Sequence, residues 1–185
     1  PIMTDQNGQT VCTNHRIDSA RPGLKIALRN KHSAGHTAFA PERTLLMVHG
    51  ATYPSTRVFD YAIDGVSWMD WLAAAGFDVW CVDVLGYGDS DRPPELSVPE
   101  ADNPPVIDTA DAEGDVERAM DFILGQRGIS SMNLLGYSWG TAICGAVAGR
   151  RCDQVARLVL LGALWCKIAS RGLPTTGKLG AYRWV

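Results

Sequence analysis

The stretch Leu134-Leu135-Gly136-Tyr137-Ser138-Trp139-Gly140 puts one serine between two glycines, directly after an apolar run. A serine there suits nucleophilic chemistry. Where a strand turns abruptly into a helix, the corner residue is pushed toward strained φ/ψ and its side chain is exposed at the head of the helix. Neighbouring backbone then passes so close that a Cβ at Gly136 or Gly140 would clash. The free N–H groups and the dipole of the helix start favour negative charge developing beside the hydroxyl. A serine hydroxyl still needs a base to take its proton and donors for an oxyanion. The Trp139 N–H is one donor candidate. The loop after His49-Gly50 is the natural source of a second, the Ala51 N–H. The competing reading of Ser138 is a tight-turn serine without chemistry.

The elements around this corner alternate. Two short strands near Thr10–Ile17 and Leu24–Arg29, joined at Arg21-Pro22-Gly23, read as a hairpin. The apolar run Thr44–Val48 reads as a strand buried on both faces and ends at His49-Gly50. Residues 66–75 read as a helix stopped by Gly76, with Met69, Leu72 and Ala73 inward. Residues 77–84 read as the next strand, ending at Asp83, and a loop rich in Pro, Asp and Gly follows. Val116, Ala119, Met120, Ile123 and Leu124 recur at helical spacing, which predicts an amphipathic helix over 109–126. Met132–Leu135 reads as a strand, Trp139–Gly149 as a helix and Arg157–Leu161 as a strand; the basic tail after Trp165 reads as loop. Alternating helices and apolar strands predict an α/β architecture, a mostly parallel sheet with helices on both faces and an antiparallel hairpin at its start. Chemistry in such sheets gathers at the carboxyl ends of the strands. Those ends here carry His49-Gly50, Asp83 and Ser138.

Composition removes other classes. The chain has 185 residues, enough for one domain, and a net charge of −3 with scattered Lys and Arg, so nucleic acid is not an expected partner. No apolar run has the length of a membrane span. No basic start followed by an apolar stretch marks a secretion signal, which leaves a cytoplasmic location as the expectation. The first residue is Pro1, which is compatible with a missing upstream segment. The five cysteines, Cys12, Cys81, Cys144, Cys152 and Cys166, show no CxxC spacing and read as small buried apolar residues of a reducing compartment. His32 and His36 have a metal-compatible spacing only if helical; Gly35 argues for a solvated loop instead. No phosphate-binding glycine motif follows a strand, which disfavours nucleotide binding.

Taken in order, His49-Gly50-Ala51-Thr52-Tyr53-Pro54-Ser55, Asp83-Val84-Leu85-Gly86-Tyr87-Gly88-Asp89-Ser90-Asp91-Arg92-Pro93 and Gly136-Tyr137-Ser138-Trp139-Gly140 resemble the α/β-hydrolase superfamily, over nearly the whole chain. The nearer likeness is to bacterial serine hydrolases of the esterase and lysophospholipase-like type. The resemblance implies Ser138 as nucleophile, an oxyanion hole from the Ala51 and Trp139 N–H groups, a small-molecule acyl substrate, and neither a metal nor an organic cofactor. It also implies that His49 shapes its loop rather than serving as base. Asp83 is read as a loop-holding residue, and Trp139 as either an acyl-pocket wall or a core aromatic.

The base is then missing. In this superfamily the order is serine, acid, histidine. All four histidines precede Ser138, and the single acidic residue after it is Asp153. Asp153 lies before the strand at Arg157, at the amino edge of the sheet, so a strand length of about 17 Å separates it from the nucleophile. The expectation is one α/β-hydrolase domain, incomplete at its C-terminus, with residues 166–185 opening a cap and the acid and histidine beyond Val185. As given, the chain is expected to be nearly inactive. The alternative is a non-catalytic, ligand-binding protein of the same fold.

Overall fold

A computed structural model of the chain describes residues 10–36, 38–99 and 106–164, together with the backbone of 175–176 and 181–182. Cys166 and most of the expected cap opening at 166–185 lie outside the described residues.

Six strands form one mixed sheet. They are β1 (Thr10–Asp18), β2 (Lys25–Ser33), β3 (Thr44–Val48), β4 (Asp78–Asp83), β5 (Met132–Tyr137) and β6 (Val155–Leu161), in spatial order β1-β2-β4-β3-β5-β6. β1 pairs antiparallel with β2, and β2 with β4, whereas β4, β3, β5 and β6 run parallel. The expected hairpin and parallel sheet are both present. β2 continues to Ser33, four residues beyond the expected stretch Leu24–Arg29.

Among the described residues, four α-helices cover the sheet: α1 (Ser55–Phe59), α2 (Trp68–Ala74), α3 (Thr109–Arg127) and α4 (Trp139–Arg150). Strand alternation decides which helix meets which face. In β3 and β4, Leu46, Val48, Trp80 and Val82 point to the layer of α3 and α4, and join Val116, Ala119, Met120, Ile123, Ile143 and Val147 in one core. Their neighbours Leu45, Met47, Val79 and Cys81 point the other way, against Phe59 of α1 and Met69 and Leu72 of α2. With both faces covered, these strands need apolar side chains at every position, which is why they read as continuous runs.

Local chemistry sets the helix ends. Ser67 and Asp70 form a reciprocal capping box at the start of α2, and Asp108 and Asp111 form another at the start of α3. Gly128, at φ 64°, closes α3 in the left-handed conformation. At the same end of α3, Arg127 grips the buried Asp78 carboxylate with two bonds of 2.8 and 2.9 Å and lies over the Phe39 and Trp80 rings.

Several expectations need correction. The five-residue α1 was not foreseen; it is too short to show a period. The tail expected to be loop contains a two-residue strand pair, β7 (Thr175–Thr176) and β8 (Ala181–Tyr182). Cys81 and Cys144 are buried, and burial pushes the Cys144 thiol up to about 12. Cys12 and Cys152, however, are exposed, because one lies on the outer strand β1 and the other in the turn before β6. His32 is a strand residue packed edge-on to Phe39, not part of a solvated loop, because β2 extends past it. β6 is the outer strand of the described sheet, and Leu158, Val159, Leu160 and Leu161 are each more than a third exposed there.

Candidate functional site

The carboxyl ends of β3, β4 and β5 lie side by side, because β3 pairs with both of the others. Ser138 occupies the corner between β5 and α4 with φ 52° and ψ −115°. Only one other described non-glycine residue, Asp64, has positive φ. Ser138 does not spend its hydroxyl on capping α4. Its N–H donates to the Leu161 carbonyl at 2.9 Å, which ties the corner to the end of β6. Its carbonyl accepts the Thr141 N–H at 2.9 Å and the Thr141 hydroxyl at 2.5 Å.

The two flanking glycines are required by close approach. A Cβ on Gly136 would lie 2.2 Å from the Gly140 carbonyl oxygen, and one on Gly140 would lie 2.4 Å from that of Val48. The first turn of α4 therefore rests directly on the backbones of β5 and β3. The loop after β3 is equally near: a Cβ on Gly50 would lie 3.0 Å from the Ser138 Cβ and 3.5 Å from its Oγ. Ala51 thus follows a residue that touches the serine side chain, and its N–H donates to no described residue. Trp139 is the first residue of α4, so its N–H belongs to the helix start that lacks an intrahelical acceptor.

His49 is fully buried, and both ring nitrogens are engaged by backbone. Nδ1 lies 2.6 Å from the Gly50 carbonyl oxygen, and Nε2 accepts the Val84 N–H at 3.2 Å. An amide N–H can only donate, so Nε2 is the acceptor and Nδ1 carries the proton. Burial is the leading influence on this ring and keeps it neutral, holding its pKa below the ordinary value. A histidine bound in this way shapes the loop and has no nitrogen left to take a proton from Ser138.

Asp83 holds its surroundings as its position suggested. Its carboxylate accepts the Ser55 N–H at 2.7 Å and the Asp89 N–H at 3.1 Å, so one side chain fixes both the start of α1 and the loop after β4. Trp139 packs against the core of α3 and α4, and its Nε1–H donates to Thr109 Oγ1 at 3.0 Å. Asp153 sits in the turn that precedes β6, opposite in strand direction to Ser138.

The structure adds two residues that motif reading passed over. Asp115 is a buried carboxylate of α3 that accepts the Ser19 hydroxyl at 2.6 Å, the Ala20 N–H at 3.1 Å and the Leu85 N–H at 2.9 Å. Desolvation raises its pKa, against the lowering influence of those donors. The signal was available: Asp115 falls on the apolar stripe of α3, between Ala112 and Ala119, where an acid needs partners. Tyr87, within the Gly-rich loop, donates its phenol to the Ala51 carbonyl at 2.8 Å. No group of three His, Cys, Asp or Glu side chains among the described residues could hold a metal ion. No helix there is long and apolar enough to cross a membrane.

A family model for the alpha/beta hydrolase fold matches residues 43–179. The chain belongs to the alpha/beta hydrolase fold family. Among solved structures, it is similar to an epoxide hydrolase from Vigna radiata (16% identity, TM-score 0.59), covering 88% of this chain and 42% of that one. A loop variant of haloalkane dehalogenase from Bradyrhizobium elkanii follows at 22% identity and TM-score 0.56, covering 83% of this chain and 41% of that one. An alpha/beta hydrolase from Novosphingobium aromaticivorans shares 20% identity at TM-score 0.57, covering 83% of this chain and 45% of that one. The chain therefore spans less than half the length of these structures. No curated protein matches it.

Proposed function

We propose that this chain carries the nucleophile and oxyanion hole of a serine hydrolase acting on carboxylic esters or related acyl compounds. The observation that carries the reading is the backbone of Ser138, held at φ 52° on a strand-to-helix corner with its hydroxyl unused as a cap. Strain of this kind persists where the surrounding structure enforces it, and it clusters at reactive sites. The close approach of Gly50 to the Ser138 side chain supports a role for the neighbouring Ala51 N–H.

In this reading Ser138 Oγ attacks the acyl carbon, and its proton passes to a histidine supplied beyond Val185. The carbonyl electron pair moves onto oxygen, where the Ala51 and Trp139 N–H groups and the positive end of the α4 dipole stabilise it. The pair then returns, the bond to the leaving oxygen breaks, and that oxygen takes the proton. Water repeats the sequence on the acyl-enzyme and releases the acid. A downstream acid would orient the histidine. The engagement of both His49 nitrogens supports a base from outside these residues, as does the chain's coverage of less than half of its structural neighbours.

A fluorophosphonate probe on the full-length protein tests the reading, because Ser138 Oγ would displace fluoride from phosphorus. Labelling that disappears in Ser138→Ala, together with loss of p-nitrophenyl ester turnover, is the expected result. An intact fold that takes no label would support the ligand-binding alternative instead.

A further inference from the structure

The Gly-rich loop after β4 contributes no donor or nucleophile to the reading above, yet it is built to present one side chain. Tyr87 N–H donates to the Val84 carbonyl at 3.1 Å, and its own carbonyl accepts the Ser90 N–H at 3.0 Å. The next residue, Gly88, has φ 50°, and a Cβ there would lie 1.9 Å from the Asp83 carboxylate that holds the Asp89 N–H. The backbone on both sides of Tyr87 is thus fixed, and its half-buried ring packs on the core.

That ring stands between the two segments assigned the oxyanion donors. Its centroid is 4.5 Å from the His49 ring and 6.2 Å from the Trp139 ring, and its hydroxyl donates to the Ala51 carbonyl at 2.8 Å. His49 already holds the preceding carbonyl, that of Gly50. Each carbonyl fixes one peptide plane, since the peptide unit is rigid. The Gly50–Ala51 plane carries the Ala51 N–H, and only the φ and ψ of Ala51 separate it from the Ala51–Thr52 plane. With one plane pinned, the N–H can still rock with its neighbour. With both pinned, its direction is set before any substrate arrives, and a preorganised donor needs no reorganisation during the reaction.

We propose that Tyr87 is a positioning residue of the oxyanion loop: its phenol locks the Ala51 carbonyl and thereby aims the Ala51 N–H. The proposal rests on the serine hydrolase reading. It predicts that the phenol matters to the chemical step and not to substrate binding. Removing an oxyanion donor outright costs about 10²–10³ in kcat, so loosening one should cost less, about tenfold.

The test uses the full-length protein with Tyr87→Phe, Tyr87→Leu and Ser138→Ala. Steady-state turnover of p-nitrophenyl esters is read beside amide hydrogen exchange at Ala51. Tyr87→Phe should fold with an unchanged thermal midpoint, lose about tenfold in kcat with KM nearly constant, and exchange the Ala51 amide faster. The proposal is overturned if the Phe variant matches wild type and only Leu falls, since packing of the ring would then be the whole effect. It is overturned equally by a change confined to KM, or by a Phe variant that does not fold. Turnover that survives Ser138→Ala would remove the hydrolase reading instead, while Ala51 exchange still reports whether the phenol holds the loop.

Discussion

Replacing Ser138 by glycine should stabilise the fold while abolishing activity. The usual ranking is the reverse, because glycine leaves the unfolded chain freer and costs about 0.5–1 kcal/mol relative to alanine. At φ 52° and ψ −115°, however, the backbone lies close to the first central position of a type II′ turn, which glycine dominates. Glycine has no Cβ, so this conformation is as accessible to it as the mirror image that ordinary residues adopt. An L-residue held there carries about 1–3 kcal/mol of strain. Little opposes its release, since the serine hydroxyl does not cap α4. Subtracting the chain-entropy cost leaves Ser138→Gly more stable by about 1 kcal/mol, or roughly 2–4 °C in thermal midpoint for a domain of this size. Ser138→Ala keeps the Cβ and the strain, so it should stay near wild type. Urea unfolding of the three proteins measures the difference. A glycine variant less stable than the alanine variant would refute the claim that this corner stores strain.

Two further outcomes follow from the buried polar groups. His49 has a folded pKa below its ordinary 6.5, so below that pH the unfolded chain binds a proton that the folded chain refuses. Its contribution is therefore complete above pH 6.5 and is lost as the pH falls, by about 1.4 kcal/mol per unit until the folded pKa is reached. Urea midpoints between about pH 7.5 and about pH 5.5 should show the decline, and His49→Asn should reduce its slope; an unchanged slope would count against His49 as its source. Asp115→Ala should destabilise the fold by about 3 kcal/mol or more, since it leaves the Ser19 hydroxyl and the Ala20 and Leu85 N–H groups without their shared acceptor. A midpoint within experimental error of wild type would show that other acceptors replace it.

The sequence by itself determined the layers and the corner. β3 and β4 are apolar at every position because helices cover both faces, so their runs were visible without any long-range information. The pattern of α3 was legible for the same reason, and all five residues of its predicted stripe are buried. The strained corner at Ser138 was legible because backbone that passes this close admits no Cβ at Gly136 or Gly140. Short α1 and the outer reach of β2 were not, since a five-residue helix has no period and the end of β2 is set by its pairing with β1, where Ser33 faces Thr10.

Tertiary structure alone decided how these pieces act on each other. The sequence marks His49 and Asp83 as residues at strand ends and places Tyr87 in the loop after β4, but not which atoms they hold. Folding turned both nitrogens of His49 into backbone contacts, set the Asp83 carboxylate across two loops, and brought the Tyr87 phenol to the Ala51 carbonyl, 36 positions away in sequence. Periodicity records only which face of an element is buried. Hydrogen-bond partners are set by the register of β3 between β4 and β5, which brings three distant loop segments to one edge of the sheet.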